Sequence, residues 1–309
     1  MIVTLAGGVG AARFLKGLRL VRPPNDLIAV INTADDTVLH GLHISPDIDT
    51  VTYSLAGVDN PETGWGLVEE TWKVMESLDF LGGVTWFQLG DKDLSTHLYR
   101  TGRLMESASL TTITAEIASK FEIETELLPM TDDKVSTFVT LAESGNEVSF
   151  QEYFVKMKHS VPISAIRFDG VEKSQPGPNV INSILSAEKV VIAPSNPLVS
   201  IGPILAIAEI NSAIQSRRES TVAISPIVGG LALKGPADRM MSELGHEPSV
   251  LGVAHFYKDL AATLVIDRAD EKYKKSIESI GIRCLVTDTV MASPAISASL
   301  ASTVLDLES

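Results

Sequence analysis

The sequence predicts an α/β protein with a Rossmann-like, mostly parallel sheet and helices on both of its faces. Short runs that are apolar throughout alternate with segments of helical periodicity for most of the chain. Strands without a polar face are typical of a parallel sheet that helices cover on both sides. The first apolar run leads through a glycine-rich loop into a helical segment, as nucleotide-binding folds begin.

The elements follow one another in regular alternation. The expected strands are Ile2–Leu5, Leu27–Ile31, Val84–Leu89, Val190–Ala193, Val222–Ile224, Ala262–Ile266 and Cys284–Val286. The expected helices are Ala11–Leu20, Gly66–Ser77, Leu94–Leu104, Asn179–Ser186, Pro236–Glu243 and Lys272–Ile280. Right-handed crossovers place the carboxyl ends of parallel strands, and with them a ligand crevice, along one edge of the sheet.

Residues 111–170 have a different pattern. Val135–Leu141 and Glu147–Phe150 alternate in polarity, and a polar helical piece follows around Gln151–Lys158. Alternation is typical of an antiparallel sheet with one solvated face. The sequence therefore predicts an inserted α+β subdomain at 111–170 within a nucleotide-binding core of residues 1–110 and 171–309.

The composition restricts the partners. The net charge of −14 disfavours nucleic acid, although backbone N–H groups can still bind a small phosphate ligand. The single cysteine, Cys284, leaves neither a disulfide framework nor a cysteine-based zinc cluster. No apolar stretch has the length that a bilayer requires. We therefore expect a cytoplasmic protein without nucleic-acid or membrane partners.

The glycine-rich loop is the first candidate site. Gly8, Val9 and Gly10 lie between a strand and a helix, where glycine permits close approach and the helix N-terminus offers free N–H groups to phosphate. The loop is not a P-loop, because no Gly-Lys-Ser/Thr follows. Arg13 stands where a dinucleotide fingerprint has its third glycine. A purely structural tight turn is the alternative.

Two acidic motifs follow. Asn32–Asp36, which contains Thr33 and Asp36, directly succeeds the second strand and suits a metal ion or ribose hydroxyls. Asp47 and Asp49 precede Thr50 and could bind Mg²⁺ or act as a general base. They share a side only in an extended segment, because in a helix they diverge by about 200°. Turn and helix-cap roles are the alternatives for both motifs.

A further motif combines opposite charges. Asp91 and Lys92 open a predicted helix that also carries Thr96, His97 and Arg100. His97 and Arg100 are three residues apart and share a helical face. This face could bind a phosphate; the alternative is a capped helix with an exposed Lys-Asp pair.

Polar turns end two later strands. Ser195 and Asn196 follow one strand, and Ser225 and Gly229 follow the next. Turns of this kind commonly line an α/β crevice. Five aromatic residues are interpreted as core because of their mixed spacing, with a base-stacking platform as the alternative: Trp65, Trp72, Phe150, Tyr153 and Phe154.

Six segments carry a resemblance to a known family, in this order along the chain: Gly7–Leu15, Asn32–Asp36, Ser45–Thr50, Leu89–Asp93, Ala193–Pro197 and Ser225–Gly230. Together they resemble the 2-phospho-L-lactate transferase family, and the resemblance runs from Met1 to Leu305. It implies an enzyme of coenzyme F-420 biosynthesis that moves 2-phospho-L-lactate from lactyl-2-diphospho-5'-guanosine to the ribityl hydroxyl of the deazariboflavin alcohol Fo. GMP is the other product. A requirement for Mg²⁺ and a homodimer are also implied.

The resemblance also suggests roles for the candidates. Asp49 orients or deprotonates the hydroxyl, Asp47 and Asp49 hold Mg²⁺ with Asp36 as an alternative ligand, and Lys92 with the Gly8–Gly10 amides steadies the phosphates. The choice of metal ligands stays open among six carboxylates: Asp35, Asp36, Asp47, Asp49, Asp91 and Asp93. Ser195 and Ser225 hold the guanosine end. The remaining expected substrate contacts are Arg13, Thr33, Asp36, Thr50, Asp91, Thr96, Asn196 and Gly229.

Three alternatives stay open at this point. A related branch of the superfamily looks like a nucleotide-sugar-binding regulator without turnover. An enolpyruvyl donor differs from a lactyl donor only in one unsaturated carbon pair. A nicotinamide dehydrogenase is disfavoured by the missing third glycine.

Overall fold

The computed structural model describes residues 1–307. The strands are β1 (Ile2–Ala6), β2 (Leu27–Ile31), β3 (Thr37–Leu39), β4 (Leu42–Ile44), β5 (Glu126–Pro129), β6 (Ser136–Leu141), β7 (Glu147–Ser149), β8 (Ile163–Asp169), β9 (Lys189–Ile192), β10 (Thr221–Ile224), β11 (Ile227–Val228), β12 (Leu231–Ala232), β13 (Thr263–Asp267) and β14 (Arg283–Thr287).

The α-helices are α1 (Gly8–Leu18), α2 (Pro46–Ala56), α3 (Lys73–Phe80), α4 (Asp93–Met105), α5 (Leu110–Lys120), α6 (Val180–Ser186), α7 (Gly202–Ala206), α8 (Ala208–Ser216), α9 (Ala237–Glu243), α10 (Val250–Tyr257), α11 (Lys274–Ser279) and α12 (Pro294–Leu305). Within the described residues no helix combines the length and the apolar character that crossing a membrane requires.

A seven-stranded parallel sheet forms the centre, in the order β14-β13-β10-β9-β1-β2-β5. The central strands β1, β2, β9 and β10 are buried on both faces. In β1, Val3 and Leu5 belong to one core cluster and Ile2 and Ala6 to the other. Helices α6, α8, α10 and α11 cover the first face, and α1, α2, α5 and α12 cover the second. The predicted Rossmann-like α/β fold is confirmed.

Two predicted elements are wrong. Residues 84–89 form no strand, because Phe87 and Leu89 pack into a small cluster with α3 and the β3–β4 hairpin instead of pairing with the sheet. The predicted helix at 66–77 begins only at Lys73, because Gly66 adopts a left-handed φ of +71° that interrupts helical geometry.

The segment 111–170 contributes to two sheets. Strand β5 pairs with β2 at the edge of the central sheet, whereas β7, β6 and β8 form a separate antiparallel sheet. The antiparallel sheet has its own small core around Val139, Phe150 and Tyr153, which also includes Met240. The alternating strands of the prediction are therefore present, and they begin after β5. The division of the chain at residues 111 and 170 stays a prediction.

Candidate functional site

Four polar loops lie at the carboxyl edge of the sheet. They follow β1, β2, β9 and β10, which are neighbouring parallel strands and therefore end on the same side. The Ser195 hydroxyl donates a 2.7 Å hydrogen bond to the Gly7 carbonyl oxygen, which joins the loop after β9 to the loop after β1. The sheet topology thus brings the predicted motifs to one rim.

The glycine-rich loop is packed tightly against its neighbours. A Cβ on Gly7 would lie 2.7 Å from Cβ of Ser200, and one on Gly10 would overlap the Pro194 carbonyl oxygen. Gly8 has a φ of +66°, which favours glycine. Gly7 precedes α1 and has no side chain to cap it, and the Gly8 N–H donates to Asp47. The N–H groups of Val9 and Gly10 are therefore the ones at the start of α1 that could serve a phosphate.

Three carboxylates lie behind this loop. Asp47 accepts hydrogen bonds from the Gly8 N–H and, at 2.9 Å, from Nδ2 of Asn32. Asp36 contacts Nε2 of His43 at 2.9 Å. Asp35 is buried beside both of them. Oδ1 of Asp35 and Oδ1 of Asp36 are buried without a hydrogen-bond partner.

Burial makes these carboxylates costly to ionise. It raises the pKa of Asp47 to about 6, and the nearby charge of Asp36 raises it further while Asn32 opposes the shift. Burial likewise raises the pKa of Asp35 well above its usual range, with the charge of Asp47 adding to the effect. Burial also raises the pKa of Asp36. A cation placed among the three would remove this penalty.

Asp49 faces a different environment from Asp47. Both lie in the first turn of α2, and their side chains diverge because the segment is helical. Both carboxylate oxygens of Asp49 accept hydrogen bonds from Arg100 on α4, in a pair that is almost fully buried. Asp49 is therefore already paired with a cation of the chain itself, and its predicted role as a metal ligand stays a prediction.

The pair belongs to a buried network between α2 and α4. Nε2 of His97 lies 3.2 Å from Oδ2 of Asp93, and the Tyr53 hydroxyl donates a 2.6 Å hydrogen bond to Oδ1 of Asp93. Burial opposes the ionisation of Asp93, but the hydrogen bonds from His97 and Tyr53 outweigh it and lower its pKa. Asp49, Asp93 and His97 offer ligand atoms within 4.8 Å of one another. Because Asp49 is paired with Arg100, we interpret this group as a contact that holds α2 and α4 together.

The structure gives Asp91 and Lys92 roles in local architecture. Asp91 accepts hydrogen bonds from the Thr71 hydroxyl and from the backbone amides of Lys73 and Val74, so it caps α3. Nζ of Lys92 donates to the Val68 carbonyl oxygen at 3.0 Å and holds the preceding loop. Their predicted substrate roles stay predictions.

A small open pocket adjoins the buried network. Its lining comprises Asn60, Thr63, Trp65, Gly66, Leu67, Glu70, Trp72, Gln88, Gly90 and Asp93. Trp65 is 50% exposed and Trp72 is 37% exposed, so their interpretation as core residues is wrong. The mixed spacing of the aromatic residues favoured a core role over a stacking platform, whereas these two rings lie on a loop. A flat aromatic ligand could stack against them.

The remaining predicted residues divide between turns and buried positions. The Ser225 hydroxyl and the Asn196 carboxamide each close the turn that follows their strand. Gly229 stands at the tip of the β11–β12 hairpin and donates its N–H to Asp270. The following residues are buried or half-buried beside the rim: Arg13, Thr33, Thr50 and Thr96. Oγ1 of Thr33 has no hydrogen-bond partner.

Sequence reasoning did not find the roles that Asp35, Asp93 and Tyr53 have at the site. Asp35 and Asp93 stood only among the open metal candidates, and Tyr53 was not singled out. The adjacent acids of Asp35–Asp36 were the available signal for the first. The contact between Tyr53 and Asp93 joins residues 40 positions apart, and no local pattern predicts it.

Carboxylates with unpartnered oxygens, on the same rim as a glycine-rich loop, fit metal-assisted transfer of a phosphate-linked group. The class that this fold and site define is therefore a group-transferring enzyme. The sequence model of the family described as 2-phospho-L-lactate transferase CofD matches residues 2–297, and the chain belongs to this family. The chain is therefore an enzyme that transfers phospholactate or phosphoenolpyruvate groups in coenzyme F-420 biosynthesis.

Several named relatives match nearly the whole length of the chain. A phosphoenolpyruvate transferase of Streptomyces griseus is 40% identical over 99% of this chain and 98% of its own length. That of Streptomyces coelicolor is 38% identical over 99% and 97%. That of Mycobacterium avium is 35% identical over 99% and 98%. The predicted family is confirmed.

A solved structure shares the fold. A UPF0052 family protein from Bacillus halodurans superposes with a TM-score of 0.63 at 15% identity, covering 99% of this chain and 98% of its own. At this identity the likeness concerns the fold alone, and it supports the Rossmann-like assignment.

Proposed function

We propose that this chain transfers a phosphoenolpyruvyl group from an enolpyruvyl diphosphoguanosine to the terminal ribityl hydroxyl of Fo, with release of GMP. The observation that carries the proposal is the convergence of the Gly8–Gly10 loop and the Asp35, Asp36 and Asp47 carboxylates at one rim, beside a pocket with two open tryptophans. The names of the relatives favour the enolpyruvyl donor over the lactyl donor.

The three carboxylates suit the Mg²⁺ ion that the family resemblance implies. Oxygen ligands are what Mg²⁺ prefers, and Oδ1 of both Asp35 and Asp36 is buried with nothing to bind. Asp47 contributes a third buried carboxylate, whose pKa is raised by burial and by the charge of Asp36. We therefore assign Asp35, Asp36 and Asp47 as the metal ligands. Asp49 has a different role, which is to pair with Arg100. Bound Mg²⁺ would neutralise charge on the transferring phosphate.

The reaction forms one P–O bond and breaks another. The ribityl oxygen attacks the phosphorus that carries the enolpyruvyl group, the bond to the GMP phosphate breaks, and the hydroxyl proton leaves with solvent or a carboxylate. Such transfers depend on alignment and charge neutralisation. The amides at the start of α1 bind the diphosphate, and they are fixed there by the close contacts of Gly7 and Gly10.

Asp93 is the carboxylate that we assign to the acceptor hydroxyl. It lines the aromatic pocket, while its other contacts with Tyr53 and His97 hold its orientation. Its lowered pKa keeps it ionised, so that it accepts a hydrogen bond from the hydroxyl and directs the oxygen lone pair. Arg100 connects this residue to the metal cluster, because its charge lowers the pKa of both Asp93 and Asp36.

Incubation of the protein with Fo, Mg²⁺ and either donor, followed by chromatography and mass spectrometry, tests the proposal. We expect GMP and a product that retains the enolpyruvyl carbons, with the enolpyruvyl donor preferred in direct competition. Preference for the lactyl donor would establish the phospholactate activity instead. Nucleotide binding without GMP release would identify a binding-only regulator and refute the proposal.

Single substitutions test the residue roles. Asp93→Asn should lower the transfer rate by about 100-fold, because one aligned charged contact contributes about 2–4 kcal/mol to transition-state stabilisation. Asp259→Asn makes the same charge change at an exposed position and should leave the rate unchanged. An Asp93→Asn enzyme with the wild-type rate would contradict its assignment. The homodimer and the cytoplasmic location implied by the resemblance stay predictions.

A further inference from the structure

The loop that carries the aromatic pocket also contacts the glycine-rich loop. We call residues 58–72 the acceptor loop. Asp59 anchors its beginning through an ion pair of 2.7 Å with Lys16 on α1. The Val68 carbonyl oxygen anchors its far part by accepting from Nζ of Lys92. Trp65 and Trp72 lie on this loop, so its position determines the shape of the pocket.

The middle of the acceptor loop is held by a lysine from the opposite half of the chain. Nζ of Lys234, which follows β12, donates a 2.9 Å hydrogen bond to the Thr63 carbonyl oxygen. A Cβ on the adjacent Gly64 would lie 2.9 Å from Cγ1 of Val9 and 3.1 Å from Nζ of Lys234. Gly64 therefore rests on the phosphate-binding loop and on this lysine at once.

Two cations meet at this contact without a matching anion. Burial lowers the pKa of Lys234, and the positive charge of Arg13 lowers it further. Arg13 and Lys234 form no ion pair with any other part of residues 1–307. Two neighbouring positive charges that make no ion pair favour a ligand with negative charge.

We propose that Lys234 binds the diphosphate of the donor and, through Thr63, holds the acceptor loop in place, so that donor binding strengthens acceptor binding. This inference rests on the proposed function, because it takes the donor to be a guanosine diphosphate ester. An ammonium has three N–H donors; one goes to Thr63 and the others are available to phosphate oxygens.

The coupling follows from the shared contact. A diphosphate between Arg13 and Lys234 relieves their repulsion and fixes the ammonium, which in turn fixes the loop beneath the tryptophans. Coupling between two ligands is reciprocal, so Fo also strengthens binding of the nucleotide. A lysine that acted only as a structural support would affect Fo binding without affecting the nucleotide.

Fluorescence titration of Fo in Mg²⁺ buffer, with and without saturating GDP, measures the coupling. In the wild-type protein we expect GDP to tighten Fo binding by about 5-fold or more. Lys234→Met should weaken GDP binding by about 10-fold and reduce the coupling factor to about 1. Lys234→Arg should retain GDP affinity within a few-fold and most of the coupling, because it keeps the charge.

Lys16→Met is the matched control. It removes another lysine that holds the acceptor loop, at a position that contacts Asp59 and has no phosphate role. We expect it to weaken Fo binding equally with and without GDP and to leave GDP affinity unchanged. Unchanged GDP affinity or full coupling in Lys234→Met would overturn the inference. A wild-type protein that binds neither GDP nor Fo would refute the proposed function itself, whereas one that binds both independently would refute only the coupling.

Discussion

Replacing Asp47 by asparagine should stabilise the metal-free protein while it destroys the activity. Burial raises the pKa of Asp47 from its ordinary value of 3.8 to about 6. A shift of about 2 units corresponds to about 3 kcal/mol of stability that the ionised carboxylate removes at pH 8. Asparagine does not ionise and therefore avoids this penalty. It has one side-chain acceptor oxygen, whereas Asp47 accepts hydrogen bonds from both Asn32 and Gly8, so one hydrogen bond of about 1 kcal/mol is lost. We expect a net gain of about 1–2 kcal/mol.

The effect has a defined pH dependence. Because the folded pKa lies above the unfolded one, the folded state binds a proton between pH 3.8 and about 6 that the unfolded state does not. The stability of the wild-type protein therefore falls as pH rises through this window, and the advantage of Asp47→Asn should be present at pH 8 and shrink at pH 5.

Urea unfolding with a chelator at both pH values measures this difference, and the transfer assay measures the activity. Mg²⁺ should stabilise the wild-type protein at pH 8 and have little effect on the variant, because only the former keeps the full set of carboxylates. An Asp47→Asn protein that is less stable than wild type at pH 8 without metal would refute the reasoning, as would a variant with normal transfer.

Three further substitutions test other parts of the site. Arg100→Met leaves Asp49 buried without its partner and should lower the free energy of unfolding by about 3–5 kcal/mol. Adding Asp49→Asn should restore part of this loss. Additive effects of the two substitutions in urea unfolding would contradict the pairing. Gly10→Ala places a Cβ on the Pro194 carbonyl oxygen and should reduce stability by about 1–3 kcal/mol and weaken GDP binding, and normal calorimetric binding would be inconsistent with the packed loop. Trp72→Ala should weaken Fo binding by about 10-fold and leave GDP affinity unchanged, and equal Fo affinity would remove the ring from the acceptor pocket.

The central sheet could be predicted because its strands carry their signal locally. The strands β1, β2, β9, β10, β13 and β14 are apolar runs followed by turns, and helices separate most of them. Residues 84–89 carry the same apolar signal and form no strand. An apolar run indicates that a segment is buried, but it does not identify the element against which the segment packs. Phe87 and Leu89 pack against a helix and a hairpin instead of a sheet.

The candidate site could be predicted as a set of loops, and its internal pairing could not. The glycine-rich loop and the acids after β2 are contiguous motifs whose residue types indicate their chemistry. The roles of Asp47 and Asp49 depend on a helical segment that turns them apart and on Arg100, which lies 51 residues from Asp49 in the sequence. Lys234 and Thr63 are 171 residues apart. Such contacts follow from the tertiary fold, which no spacing rule encodes.

The account depends most on a metal ion and a nucleotide diphosphate lying side by side at the carboxyl edge of the sheet. Phosphorus relaxation of bound GDP, with Mn²⁺ substituted for Mg²⁺, measures that proximity. We predict strong paramagnetic relaxation of both phosphorus nuclei in the wild-type protein and its loss in Asp36→Asn at nucleotide saturation. Saturating GDP binding without paramagnetic relaxation in the wild-type protein would contradict the account.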